Sequence, residues 1–129
     1  MAVELNHTIV GAASAEVSAR WLAEMLGLAP PERFGPFWQV DLANGVALDF
    51  ASVGDEPVVP QHYAFLISEA EFDAVHGRLL AGEHGIWADP GQRHPGEINH
   101  HDGGRGVYFL SNDGHHLEVI TRPYGSGAS

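Results

Sequence analysis

Two short stretches decide the fold of this chain: residues 45–50, GVALDF, and residues 114–119, GHHLEV. Both read Gly-x-x-Leu-acid-apolar, and each follows an Asn-containing turn. Apolar side chains that alternate with polar or small ones are typical of a strand that is buried on one face. Because order and motif agree in both halves, the two stretches indicate an internal repeat.

The same order of predicted elements precedes each stretch, beginning in the first half with a strand over residues 5–10. Ser14 caps a predicted helix that runs to about Met25 and ends at Gly27. Helical spacing assigns the buried face of this helix to Val17, Trp21 and Met25. Strands over 37–42 and 45–51 follow, joined by an Asn-Gly turn.

The second half starts after an acidic, proline-containing linker over 54–60, with a strand over 62–67. Ser68 and Glu71 form a predicted capping box for a helix to about Ala81. Its buried face carries Phe72, Val75 and Leu79. The remaining predicted elements are a short strand over 86–88, a loop over 89–105, and strands over 106–110 and 115–121.

The sequence therefore predicts an α+β fold of two βαβββ modules, module one about 3–53 and module two about 61–122. We expect them to form a single domain over residues 1–124, followed by a flexible Gly/Ser-rich tail over 125–129.

Composition excludes several classes of partner. The formal net charge of −11 disfavours nucleic acid and anionic membrane surfaces, which both require basic patches. There is no apolar run long enough for a membrane span, and cysteine is absent, which excludes disulfides and thiolate ligands. Since the first strand starts without a preceding leader pattern, we expect a cytoplasmic protein.

Strand alternation places four polar side chains opposite the apolar faces: His7, Asp49, His62 and Glu118. A buried carboxylate without a partner is costly, and two imidazoles with one carboxylate are satisfied together by a divalent cation. We therefore predict a metal site formed by His7, His62 and Glu118. Taken singly, each residue has an alternative interpretation, as a hydrogen-bonded structural histidine or a solvated glutamate.

The chain resembles the vicinal oxygen chelate superfamily, which includes glyoxalase I, extradiol dioxygenases and bleomycin-resistance proteins. The resemblance rests on three parts of the sequence: residues 5–10, LNHTIV; residues 61–65, QHYAF; and residues 106–109 together with 113–119. It extends over nearly the whole chain, to about Pro123. It implies a curved mixed sheet around a metal-lined cup. It also implies one divalent ion (Fe²⁺, Zn²⁺, Mn²⁺ or Ni²⁺) on His7, His62 and Glu118.

Two positions depart from the family pattern. Asp49 stands where glyoxalase I uses a glutamate, so it would serve as a fourth ligand or as a hydrogen-bonding residue behind the ligands. The turn before the last strand reads Ser-Asn-Asp-Gly over 111–114 instead of the usual Asp-Pro-Asp-Gly.

The resemblance implies a metal-dependent enzyme of the glyoxalase or dioxygenase type, which chelates a small substrate through two vicinal oxygens. In the histidine-rich loop, His100 or His101 would serve as acid or base, and Tyr108 as a donor to an oxyanion. A solvated surface loop is the alternative interpretation of that histidine pair.

A second function stays open, namely a bleomycin-resistance type of protein that sequesters a small molecule without catalysis. In both cases we expect a homodimer, because single-domain members of the family commonly pair. The sequence leaves open whether one chain supplies the whole site or two chains share it.

Overall fold

The computed structural model describes residues 2–127, and the chain divides into two compact units, Met1–Val59 and Pro60–Ser129. The first unit contains β1 His7–Ala12, α1 Ala15–Leu26, β2 Glu32–Phe34, β3 Phe37–Asp41 and β4 Ala47–Ser52. The second contains β5 His62–Leu66, α2 Glu69–Ala81, β6 Ile86–Trp87, a 3₁₀ turn at His101–Gly103, β7 Gly106–Leu110 and β8 His116–Ile120.

The first unit is a four-stranded mixed sheet in the order β1-β4-β3-β2, with α1 in contact with β1, β3 and β4. The pair β1–β4 is parallel, while β2–β3 and β3–β4 are antiparallel. As predicted, Ser14 caps α1, since its hydroxyl accepts the N–H of Val17 at 3.4 Å, and Gly27 ends the helix with a φ of 69°.

The predicted buried face of α1 is partly wrong. Val17 is 60% exposed, Trp21 is half-buried, and only Met25 of the three is buried. Residues four apart drift by about 40° per step around a helix, so Val17 lies about 80° from Met25. The residues that pack inward are mostly small: Ala15, Ser18, Ala19, Leu22, Ala23 and Met25.

Strand β2 was not predicted. Its three residues are all exposed and follow Pro30 and Pro31, so no apolar alternation marks it. It forms because its backbone pairs antiparallel with β3, from Glu32 opposite Gln39 to Phe34 opposite Phe37.

The second unit repeats this construction as a sheet in the order β5-β8-β7-β6. The capping box of α2 is confirmed: the Glu71 carboxylate accepts the N–H of Ser68 at 2.8 Å, and the Ser68 hydroxyl accepts the N–H of Glu71 at 3.1 Å. The helix ends at Ala81 as predicted, and the predicted face of Phe72, Val75 and Leu79 is at most 1% exposed.

The strand registers confirm the two modules. In the first unit Ile9, two residues after His7 on β1, lies opposite Asp49. In the second unit Ala64, two residues after His62 on β5, lies opposite Glu118. Residues in register on neighbouring strands project from the same face of a sheet. The α+β class with two βαβββ modules is therefore confirmed, with one four-stranded sheet in each module.

The loop over 89–105 is held to its neighbours by specific bonds. The Asp89 carboxylate accepts the N–H groups of Arg93 and His94, and the buried Asn99 side chain donates to the Ala88 carbonyl at 2.9 Å. In the tail, the N–H of Gly127 donates to the Asp102 carboxylate at 3.3 Å. Residues 128–129 lie outside the described part, and the flexible tail stays a prediction.

In the described part of the chain, neither helix is long and apolar enough to cross a membrane.

Candidate metal centre

One face of the second sheet carries a row of side chains that the registers align across all four strands. The row runs from β5 through β8 and β7 to β6: Ala64, Glu118, Tyr108 and Trp87. The opposite face carries the apolar residues of β8, Leu117 and Val119, which are buried. Strand alternation therefore presents Glu118 on the polar face, as the sequence predicted.

His62 and Glu118 meet on this face. The Nε2 atom of His62 lies 3.2 Å from Oε1 of Glu118, and Glu118 is fully buried although the His62 side chain is 51% exposed. The other carboxylate oxygen, Oε2, accepts a short hydrogen bond from the hydroxyl of Tyr124. Within the described residues, Oε1 accepts no hydrogen bond.

The tautomer of His62 explains how a close pair can lack a hydrogen bond. Its Nδ1 lies 3.0 Å from the carbonyl oxygen of His116. A carbonyl only accepts, so Nδ1 carries a proton; when that is the only proton on the ring, Nε2 presents a lone pair to Oε1. Two lone pairs that face each other are both satisfied by a cation, either a second proton on the ring or a metal ion. A histidine ligand that donates its other N–H to a carbonyl is the usual arrangement in metal sites, so this donor pair fits a divalent ion.

Two tyrosines complete the surroundings of Glu118. The Tyr108 hydroxyl lies 3.0 Å from that of Tyr124, and its ring stacks on His62 with 6.3 Å between centroids. Burial raises the pKa of both tyrosines, and the hydrogen bond to Glu118 raises the pKa of Tyr124 further, well above its usual range. Both hydroxyls are therefore protonated at neutral pH. The single proton of Tyr124 is donated to Glu118, so Tyr108 donates to the Tyr124 oxygen.

Tyr124 was missed by the sequence analysis. It lies six residues after Glu118, directly before the Gly/Ser-rich tail, and the equivalent residue of the first repeat is Asp55. Comparison of the two repeats therefore could not have predicted a tyrosine at this position. Tyr108, which the sequence did single out as a donor, lies directly opposite Glu118 in the β7–β8 register.

In the first unit, His7 is exposed on β1, and its Nδ1 lies 2.8 Å from the side-chain oxygen of Asn6. That oxygen accepts, so Nε2 of His7 also presents a lone pair. Asp49 is buried and accepts a hydrogen bond from Gln39 Nε2 at 2.8 Å.

Over residues 2–127, no group of three or more His, Asp or Glu side chains is close enough together to hold an ion. His100 and His101 are both exposed, and no contact within this range joins either side chain to His62 or Glu118. The assignments of His7 as third ligand, of Asp49 as a supporting residue, and of His100 or His101 as acid or base stay predictions.

Beside His62 and Tyr108 the second unit contains a cavity of about 120 Å³. Trp87, Gln92, Phe109 and His116 also line it. The lining is mainly apolar and aromatic, with few polar groups, as in many small-molecule sites.

Comparison with known proteins identifies the class. No protein-family model matches the chain, and no curated protein matches it. Solved structures do match: the chain belongs to the same family as the two oxidases described next, and it shares the fold of more distant glyoxalase and bleomycin-resistance structures.

Two of these structures are similar in sequence as well as fold. "Oxidase ChaP-H1" is 59% identical, with a TM-score of 0.93, over 96% of this chain and 99% of that one. "Oxidase ChaP-H2" is 53% identical, with a TM-score of 0.95, over 99% of this chain and 100% of that one. A glyoxalase/dioxygenase from Nostoc punctiforme is 20% identical, with a TM-score of 0.71 over 93% of this chain and 91% of that one; it shows the fold alone.

Proposed function

We propose that this protein is a metal-dependent enzyme of the oxidase type, which binds a small substrate through two neighbouring oxygens on a divalent ion. The ion would be held by Nε2 of His62, Oε1 of Glu118 and Nε2 of His7. The observation that carries this proposal is the 3.2 Å approach of His62 Nε2 to Oε1 of Glu118, a buried oxygen that accepts no hydrogen bond within the described residues. The names of the two similar oxidases support the reaction type.

The bound ion would supply Lewis-acid polarisation and a template for the two substrate oxygens. The protein's own residues would do the rest. The cavity beside His62 would hold the body of the substrate against Trp87 and Tyr108. Protonated at neutral pH, the hydroxyl of Tyr108 would turn from the Tyr124 oxygen to donate to a developing oxyanion there.

We propose further that two copies of the chain share each site, with His7 of one copy completing the His62–Glu118 pair of the other. One observation supports this. His7 is exposed, and its neighbour on the same face of β1, Ile9, is a large apolar residue left 57% exposed, so this strand face is available to a partner.

Mixing two inactive variants tests the shared site. Neither His7→Ala nor Glu118→Ala alone retains a complete set of three ligands. If copies share sites, a mixed dimer regains one, and random exchange of equal amounts should restore about one quarter of the wild-type metal capacity. If metal capacity is not restored after subunit exchange has been verified, the shared site is contradicted. Sedimentation as a monomer at micromolar concentration would contradict the dimer.

The metal itself is tested by elemental analysis of protein purified without a metal-binding tag. We expect one divalent ion per chain in the wild type and a sharp loss in Glu118→Ala. Full metal retention in that variant would contradict the assignment of Glu118.

Calorimetry distinguishes the proposed enzyme from a protein that only sequesters a small molecule. A catechol, a hydroxamate or an α-hydroxyketone is titrated into metal-loaded and into metal-free protein. Chelation makes binding depend on the metal. Equal affinity for the two forms would favour a binding protein that relies on apolar burial and stacking.

A further inference from the structure

We propose that Tyr124 is a positioning residue, which fixes the Glu118 carboxylate so that only Oε1 is presented to the metal. This inference rests on the proposed metal site and adds to it a residue from the C-terminal segment. Its basis is that the two carboxylate oxygens of Glu118 have different partners. Oε2 accepts from the Tyr124 hydroxyl, while Oε1 accepts no hydrogen bond and lies 3.2 Å from Nε2 of His62.

A carboxylate can bind a metal through one oxygen or through both. An oxygen that already accepts a hydrogen bond has a lone pair committed and is a weaker ligand, so a donor on Oε2 favours binding through Oε1 alone. Glu118 is fully buried, so water has little access to replace a lost donor there. Donors of this kind behind a ligating carboxylate set the orientation of the ligand.

The segment that carries Tyr124 is held in place on both sides. It follows directly from β8, the strand of Glu118, and the Pro123 carbonyl accepts the N–H of Ser126 at 3.1 Å and its hydroxyl at 2.6 Å. Beyond this turn, the N–H of Gly127 donates to Asp102 at 3.3 Å. Although Tyr124 is 60% exposed, these bonds restrict the positions open to its hydroxyl.

Tyr108 supports the same arrangement from the neighbouring strand. Its hydroxyl lies 3.0 Å from that of Tyr124 and holds the second phenol against the carboxylate. The third tyrosine of the chain, Tyr63, is the natural control. It is adjacent to His62 in sequence but lies on the opposite face of β5, with its ring edge against His115 at 5.6 Å.

The test compares Tyr124→Phe with Tyr63→Phe, since each loses one hydroxyl and keeps its ring. Co²⁺ is titrated into metal-free protein, with affinity measured by competition with a chelator and coordination read from the visible absorption of the ion. We expect Tyr124→Phe to weaken Co²⁺ binding by about 10- to 100-fold. Its absorption should also become weaker, because the freed Oε2 adds a ligand and raises the coordination number. Tyr63→Phe should match the wild type in both.

Asp102→Ala provides a second variant that leaves the phenol intact and releases the segment beyond it. It should shift Co²⁺ affinity in the same direction as Tyr124→Phe, but by less. The role of Tyr124 would be overturned if Tyr124→Phe kept the wild-type Co²⁺ affinity and absorption while Glu118→Ala lost Co²⁺ binding. The proposed metal site would still be supported by that result. Absence of Co²⁺ binding by the wild type would overturn both.

Discussion

The two modules present equivalent rows of side chains that differ in what the carboxylate meets. Across the first sheet the row is Ile9, Asp49, Gln39 and Glu32; across the second it is Ala64, Glu118, Tyr108 and Trp87. Asp49 accepts a hydrogen bond from the Gln39 amide, whereas Oε1 of Glu118 accepts none within the described residues and lies 3.2 Å from Nε2 of His62. One backbone pattern thus yields a carboxylate that is hydrogen-bonded across its own sheet and one whose second oxygen is left for the proposed ion.

The comparison is tested most strongly by removing each negative charge without changing shape. Glu118→Gln keeps an oxygen that can accept from Tyr124, but it loses the anionic ligand. We expect the affinity for a divalent ion to fall by more than about 100-fold, measured by calorimetry, because an amide is a much poorer ligand than a carboxylate.

Asp49→Asn is the matched variant in the first module. If Asp49 only supports the site, its change should reduce affinity by about tenfold or less. Equal losses in the two variants would show that Asp49 is a ligand and that the two rows do not differ in this way.

The two modules also differ in the residue that lies directly opposite the carboxylate on the neighbouring edge strand. In the second module it is Ala64, whose small side chain leaves room for His62 to reach Glu118; in the first module Ile9 fills the equivalent place. Ala64→Ile should therefore weaken metal binding by about tenfold through displacement of the His62 ring.

Ala64 is exposed, so the fold should tolerate the larger side chain. Circular dichroism checks that it does, and Ala64→Ser, which adds little volume, is the size control. Unchanged metal affinity in Ala64→Ile would mean that the space beside Glu118 does not matter.

The sequence predicted the repeated parts of the molecule well. Period-2 alternation and the shared Gly-x-x-Leu-acid motif located β4 and β8, and hydroxyl caps at Ser14 and Ser68 located both helices. These features depend on neighbours in sequence, so the chain itself contains the information. The same alternation placed Glu118 and His62 on one face, where the structure brings them together.

The parts that escaped prediction depend on contacts between distant residues. Strand β2 exists only through its pairing with β3, and Tyr124 reaches Glu118 from a segment with no strand or helix pattern. The buried side of α1 was misjudged because packing against the sheet selects a row of alanines over the larger Val17. Periodicity does not report which of two adjacent helix faces a sheet will cover.

The helices of the two modules are also attached differently, which predicts a smaller effect on stability. Arg105 donates to Glu69 at 2.7 Å and to Asp73 at 2.8 Å, and its guanidinium lies 4.5 Å from the centre of the Phe72 ring. In the first module Arg20 pairs with Glu16, one turn away on α1, and lies 5.3 Å from the centre of the Trp38 ring.

Arg105→Ala should lower the melting temperature by about 3–6 °C, because it removes a network between the residue before β7 and α2. Arg20→Ala, the matched change, should lower it by less than about 2 °C, since both members of its ion pair are half-exposed. Equal shifts in calorimetric scans would contradict a special role for Arg105.

The smallest effect concerns pH and follows from Glu69. Hydrogen bonds from Thr121 and then from Arg105 lower the pKa of this carboxyl below its usual value of 4.5. Because the folded pKa lies below the unfolded one, the stabilisation is fully present above pH 4.5 and is lost as pH falls through the folded pKa. The melting-temperature difference between wild type and Arg105→Ala should therefore stay constant from pH 7 to about pH 5 and shrink at lower pH. Glu69→Gln, which cannot ionise, should remove most of that pH dependence. A difference that stays constant down to pH 3 would show instead that Arg105 stabilises the helix mainly through its contact with Phe72, which does not titrate.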